Sequence, residues 1–126
     1  MMTNVLEILE ALPLKKGSFV LHIGTGLTSV MENLRKNNPD SIIYAIESNK
    51  DKLATLNNKN IKAIHKNIDH GNTIPHKKSL FDVVVLHHTL RNIIYRESVL
   101  LECARVLKPG GLLLVIESNS QSWGVE

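Results

Sequence analysis

The sequence predicts an α/β protein built on a doubly wound parallel sheet. Short apolar runs recur along the chain, and most are separated by segments with helical periodicity. The runs are nearly continuous rather than alternating, as strands covered on both faces should be. With 126 residues, 43% of them apolar and 21% charged, the chain fits one folded domain, taken as residues 1–126.

A leading helix is expected over about residues 4–12, closed by Pro13. The first strand is Phe19-Val20-Leu21-His22-Ile23, followed by a turn at Gly24 and Gly26. A helix over 28–37 then runs to the breaker at Pro39. The second strand is Ile42-Ile43-Tyr44-Ala45-Ile46, and a helix over 49–57 follows, with Ser48 as N-cap and Asp51 three places on. Ile61-Lys62-Ala63-Ile64 is a weaker strand, third in order. The fourth runs from Phe81 to Leu86. Residues 93–107 carry Val99, Cys103, Val106 and Leu107 on one helical face, and Lys108-Pro109-Gly110-Gly111 reads as a helix stop and a turn. The fifth strand is Leu112 to Ile116.

Alternation of this kind predicts a parallel sheet with right-handed crossovers, taken in the strand order 3-2-1-4-5. The ligand then belongs at the carboxyl ends of the strands, at the switch point between the first and fourth. The positions to inspect follow Ile23, Ile46, Ile64 and Leu86.

Gly24-Thr25-Gly26 permits a tight turn and close approach of a ligand to bare backbone. Glu47 ends the second strand 21 residues after Gly26, where a carboxylate can accept hydrogen bonds from both hydroxyls of a ribose. Together they indicate nucleoside binding. A dinucleotide site would read G-x-G-x-x-G/A, and Ser29 stands at the last place. A ligand carrying a sulfonium and an ammonium would instead favour carboxylates and carbonyls.

Val20-Leu21-His22-Ile23-Gly24-Thr25-Gly26 resembles the first motif of class I S-adenosylmethionine (SAM)-dependent methyltransferases. Phe81-Asp82-Val83-Val84-Val85 resembles their fourth-strand motif, and residues 105–114 their helix-to-fifth-strand motif. Leu90-Arg91-Asn92-Ile93 is similar to the ubiquinone/menaquinone C-methyltransferase branch, within the type 11 methyltransferases. The resemblance covers about residues 19–118 and implies a Rossmann-like fold with S-adenosylhomocysteine as product.

It also implies roles. Gly24, Thr25 and Gly26 would pass under the methionine part of SAM, and Glu47 would hold the ribose. Asn67 or Asp69 would meet the adenine amine, and Ile68 would pack on the base. Leu86 and His87 would face the cofactor, with His88, Arg91 and Asn92 towards a small-molecule acceptor. No catalytic residue is assigned; His87 and His88 are the candidates for a base, needed mainly if the acceptor must lose a proton. The family usually has an acidic residue at position 22, where this chain has His22, and a third glycine where it has Thr28. A neutral imidazole at 22 can accept a hydrogen bond, whereas a protonated one would repel the cationic cofactor.

Other classes are excluded or disfavoured. No apolar run approaches the roughly 20 residues of a membrane-spanning helix. The acidic Glu7 and Glu10 do not suit a targeting leader. Cys103 is alone, which rules out an internal disulfide and suits a cytoplasmic location. The histidines do not read as a metal site, since His87 and His88 would point to opposite sides of a strand. The lysines between 50 and 66 read as a solvated face. Nucleic acid is not expected, because Phe19, Tyr44, Phe81, Tyr95 and Trp123 are too few and too scattered. Family members continue through a helix and two more strands, which residues 117–126 cannot supply. The fifth strand is therefore expected to be an apolar edge, covered by a second copy (a homodimer), a heteromeric partner or the Trp123 tail. The expected function is a SAM-dependent methyltransferase. The alternative is an inactive methyltransferase-fold subunit with a regulatory or assembly role.

Overall fold

The computed structural model describes residues 14–24, 28–68, 74–87 and 93–117. Five parallel strands form one sheet in the order β3-β2-β1-β4-β5. They are β1 (Phe19–Ile23), β2 (Ile42–Glu47), β3 (Lys62–His65), β4 (Phe81–His87) and β5 (Leu107–Ile116). The helices are α1 (Thr28–Asn37), α2 (Leu53–Asn58) and α3 (Arg96–Val106). The alternation, strand order and switch point between β1 and β4 are those expected from the sequence.

Each central strand is apolar on both faces because each face has its own helical cover. Val20, Ile43, Ala45, Val83, Val85 and Ile116 pack with Val30, Met31 and Leu34 of α1 and Leu56 of α2. Leu21, Ile23, Ile46, Val84 and Leu86 pack with Val99, Cys103 and Val106 of α3. Burying one such aliphatic side chain is worth roughly 1.5–3 kcal/mol, so the two layers account for most of the favourable energy of the fold.

Several boundaries differ from the sequence reading, each for a local reason. The side chain of Asn49, not Ser48, caps the segment after β2 by accepting from the Asp51 N–H; a 3₁₀ turn over Lys50–Lys52 then leads into α2. The helix expected from residue 93 begins at Arg96. The Lys-Pro-Gly-Gly segment lies inside β5, not before it: Leu107 already pairs with Phe81, and Val83 pairs with Leu112. Residues 108–111 form an irregularity in the pairing opposite Asp82, with Gly110 at φ +80°. The leading helix and the Trp123 tail lie outside the described residues.

Candidate functional site

β1, β2 and β4 bring three polar side chains to one corner of the sheet. Ile23 pairs with Ile46 on one side and with Leu86 on the other. Glu47 and His87 therefore lie one residue further on, flanking Gly24. His22 is a neighbour of both on the α1 face, since side chains alternate along a strand. All three are buried: His22 0%, Glu47 4% and His87 4% exposed.

The turn beyond β1 needs its glycine. Gly24 has φ +73°, a conformation that costs little without a Cβ, and its N–H donates to the Ile46 carbonyl at 2.9 Å. Glu47 is anchored by its own loop, with Oε2 accepting from the Asn49 N–H at 2.8 Å. The next loops are joined to it: the Lys66 N–H donates to the Glu47 carbonyl at 3.1 Å, and His65 Nε2 donates to the Ser48 carbonyl at 3.1 Å.

The Nδ1 of His22 lies 3.0 Å from the Gly24 carbonyl oxygen. A carbonyl can only accept, so Nδ1 carries the proton. Burial, reinforced by the neighbouring His87, lowers the pKa of His22 to about 3, against opposing pulls from the Gly24 carbonyl and Glu47. The imidazole is neutral near pH 7, which resolves the two states left open by the sequence. Its Nε2 is then a bare acceptor, buried and without a hydrogen-bond partner among the described residues. The His22 and His87 rings lie 5.4 Å apart, tilted by 55°.

This corner is rich in acceptors: the Glu47 carboxylate and the His22 Nε2 lone pair. Such a set fits a ligand that presents hydroxyl and ammonium donors. The donor–acceptor chemistry of a SAM-like nucleoside therefore fits the residues present.

Three other expected site residues are among the described residues. Asn67 is exposed after β3, while Ile68 and Leu86 are buried in the layer under α3, away from the His22 side. Thr25, Gly26, Asp69, His88, Arg91 and Asn92 lie outside the described residues. No group of three or more His, Cys, Asp or Glu side chains among the described residues is arranged to hold a metal ion. No described helix is long and apolar enough to cross a membrane.

The sequence reading missed the Glu102–Arg105 pair of α3, which holds the backbone of residues 74–76 ahead of β4. Arg105 donates to the carbonyls of Ile74 at 2.8 Å and His76 at 2.9 Å. Glu102 accepts from the Ile74 N–H at 2.8 Å and from Arg105 Nε at 2.8 Å. The i,i+3 spacing of opposite charges was visible in the sequence; the backbone groups they grip were not.

The chain is similar to known proteins in sequence and fold. The chain is 33% identical over 111 residues to the demethylmenaquinone methyltransferase of Corynebacterium efficiens, covering 88% of this chain and 46% of that protein. It is 40% identical over 73 residues to the ubiquinone/menaquinone biosynthesis C-methyltransferase UbiE of Haemophilus ducreyi, covering 57% and 27%. It thus spans less than half the length of either relative. A SAM-dependent methyltransferase from Aquifex aeolicus superposes with a TM-score of 0.71 at 26% identity, over 88% of this chain and 62% of that one. Residues 21–115 match the family described as methyltransferase domain. With that match over most of its length, the chain belongs to the class I methyltransferase family.

Proposed function

We propose that residues 1–126 form a single cytoplasmic domain that binds SAM and serves methyl transfer to a small, quinone-like acceptor. The observation that carries this reading is the convergence of Glu47 and the bare Nε2 of His22 beside the Gly24 turn. The likeness to demethylmenaquinone methyltransferase supports the acceptor class.

In this reading Glu47 accepts from ribose hydroxyls, and its bond to the Asn49 N–H holds the carboxylate ready. Nε2 of His22 accepts from the ammonium of the methionine part, with Nδ1 pinned to Gly24 so that the ring cannot turn over. When bound, SAM supplies an electrophilic methyl group. The chain's own work is positioning, which alone can lower the barrier of an in-line displacement substantially. His87, beside this corner, is the described candidate for accepting a proton if the acceptor is methylated on carbon.

Titration calorimetry tests the reading. SAM and S-adenosylhomocysteine should bind the wild type, and Glu47→Ala should abolish binding of both. Absence of heat at millimolar ligand, with the fold intact by circular dichroism, would overturn it.

The second reading, an inactive methyltransferase-fold subunit, would use β5 as its contact. It ends the described sheet, with Leu112 39% and Val115 40% exposed along an apolar edge. A second copy or a heteromeric partner on this edge would satisfy its backbone and cover these side chains. A stable complex without methyl transfer to any quinone-type acceptor would favour this reading over the first.

A further inference from the structure

We propose that the amino-terminal end of the sheet, on its α3 side, is a surface for single-stranded nucleic acid, built on Phe19 and Tyr44 and flanked by Lys62, Lys77, Lys78 and Lys108. It lies at the opposite end of the strands from Gly24, Glu47 and His87, and it does not depend on the methyltransferase reading.

The sequence disfavoured nucleic acid because its aromatic residues are few and scattered. Folding gathers three of them. Phe19 and Phe81 open β1 and β4, and Tyr44 lies between the Leu21 and Lys62 positions of the neighbouring strands. The Phe19 and Tyr44 rings stack with centroids 6.3 Å apart and planes 18° from parallel. Tyr44 and Phe81 meet edge to face at 5.5 Å. His76, from the β3–β4 connection, stands edge-on to both, at 5.1 Å and 5.2 Å. Phe81 is fully buried and serves as the floor, while Phe19 and Tyr44 are part-exposed.

Cations frame these rings. Lys62 Nζ stands 5.8 Å over the Tyr44 ring, and Lys108 Nζ stands 5.8 Å over that of Phe19. Lys77 and Lys78 follow His76 directly and are exposed. Among the described residues, Asp82 holds Lys108 at 3.3 Å and accepts the Phe19 N–H, and Glu102 holds Arg105. Lys62, Lys77 and Lys78 have no acidic partner among the described residues. Ile64, on the same face as Lys62, is 38% exposed, so this part of the layer is open.

Rings with lysines on both sides are the two components that bind single strands without sequence preference: stacking platforms for bases and cations for phosphates. An unpaired base stacked on Tyr44 gains more than an exposed ammonium does in the same place. Lys62, which has no acidic partner among the described residues, can therefore leave the ring and move to a phosphate, while Lys108 stays with Asp82. Duplex is a poorer fit, because its bases are not free to stack on the rings.

Fluorescence anisotropy with a labelled oligouridylate of about 20 nucleotides tests the proposal on the full chain. Three lysine–phosphate contacts, from Lys62, Lys77 and Lys78, should give a slope of log affinity against log salt of about −2. Lys62→Glu/Lys78→Glu should weaken binding about tenfold or more and flatten that slope. Tyr44→Leu should weaken binding about tenfold with the slope unchanged. No binding at low salt would overturn the proposal. Equal affinity for a duplex of the same length, with Tyr44→Leu behaving as wild type, would also overturn it and leave only a general attraction for polyanions.

Discussion

The hydrogen bond from His22 Nδ1 to the Gly24 carbonyl, 3.0 Å long, decides which nitrogen of the ring is left as an acceptor. It joins the last turn of the strand path to the first backbone group of the candidate ligand turn. Where the family usually has a carboxylate, this chain has a neutral group with one lone pair. Nε2 retains the ability to accept, but the negative charge is gone.

The same burial makes His22 an acid-sensitive element. Its pKa is about 3 in the folded chain against an ordinary value of 6.5. Between those values the unfolded chain binds the extra proton, so stability is full above about 6.5 and falls as pH drops towards 3. The limiting slope for one such group is about 1.4 kcal/mol per pH unit. Urea denaturation at about pH 7.5 and about pH 5 should show wild type losing more stability than His22→Met over that interval. Parallel losses in the two proteins would show that His22 is not kept neutral in the fold.

The connection latch is a second acid-sensitive element, at lower pH. The Arg105 hydrogen bond holds the Glu102 carboxyl below its usual value, helped by the Ile74 N–H and opposed by partial burial. Its contribution is present above the ordinary glutamate range and is lost as pH falls through the lowered value. Arg105→Gln should cost about 1–2 kcal/mol at neutral pH, since the pair is partly solvated. It should also flatten the acid limb of the stability profile. Thermal melts of wild type and variant from neutral to acid pH would read both effects, and an unchanged acid limb would count against the latch.

How much of this was legible beforehand depends on which groups carry the interaction. β1, β2 and β4 announce themselves as unbroken apolar runs because both of their faces are covered. β3 is faint because it is an edge, with Lys62, Ile64 and His65 exposed. The corner of His22, Glu47 and His87 follows from strand ends and register, so the sequence could find it. The choice of Asn49 over Ser48 could not be read, since both residues are capable caps. It is associated with the Glu47 carboxylate, which takes the Asn49 N–H. The latch was hidden for a related reason: its partners are the backbone groups of residues 74–76, and carbonyls leave no mark in a sequence.

Cys103 should be inert in the folded chain. It is fully buried, and burial together with the nearby Glu102 charge pushes its thiol up to about 12. The thiolate is the reactive form, so an aromatic disulfide reagent at mild alkaline pH should titrate no thiol natively and one after denaturation. Rapid native labelling would mean that α3 opens readily from the sheet.

The bulge in β5 gives a test of packing against backbone strain. A Cβ on Gly111 would stand 2.9 Å from both Leu107 Cδ2 and the Lys108 carbonyl oxygen, and 3.1 Å from the Asp82 carbonyl oxygen. The leucine methyl can move; the two carbonyls are backbone groups within the irregularity between Phe81 and Val83, and moving them disturbs the register on either side. Gly110 is the contrasting case, with φ +80° and open space around its Cβ position. Gly110→Ala should cost about 1–2 kcal/mol through left-handed backbone strain alone. Gly111→Ala should cost about 1–3 kcal/mol through overpacking, and the loss should come with altered β5 pairing rather than a local shift. Hydrogen exchange at the amides of Leu113 to Ile116 separates the two: faster exchange is expected in Gly111→Ala and near-native rates in Gly110→Ala. Equal exchange in both variants would mean that the bulge does not set the register of the edge strand.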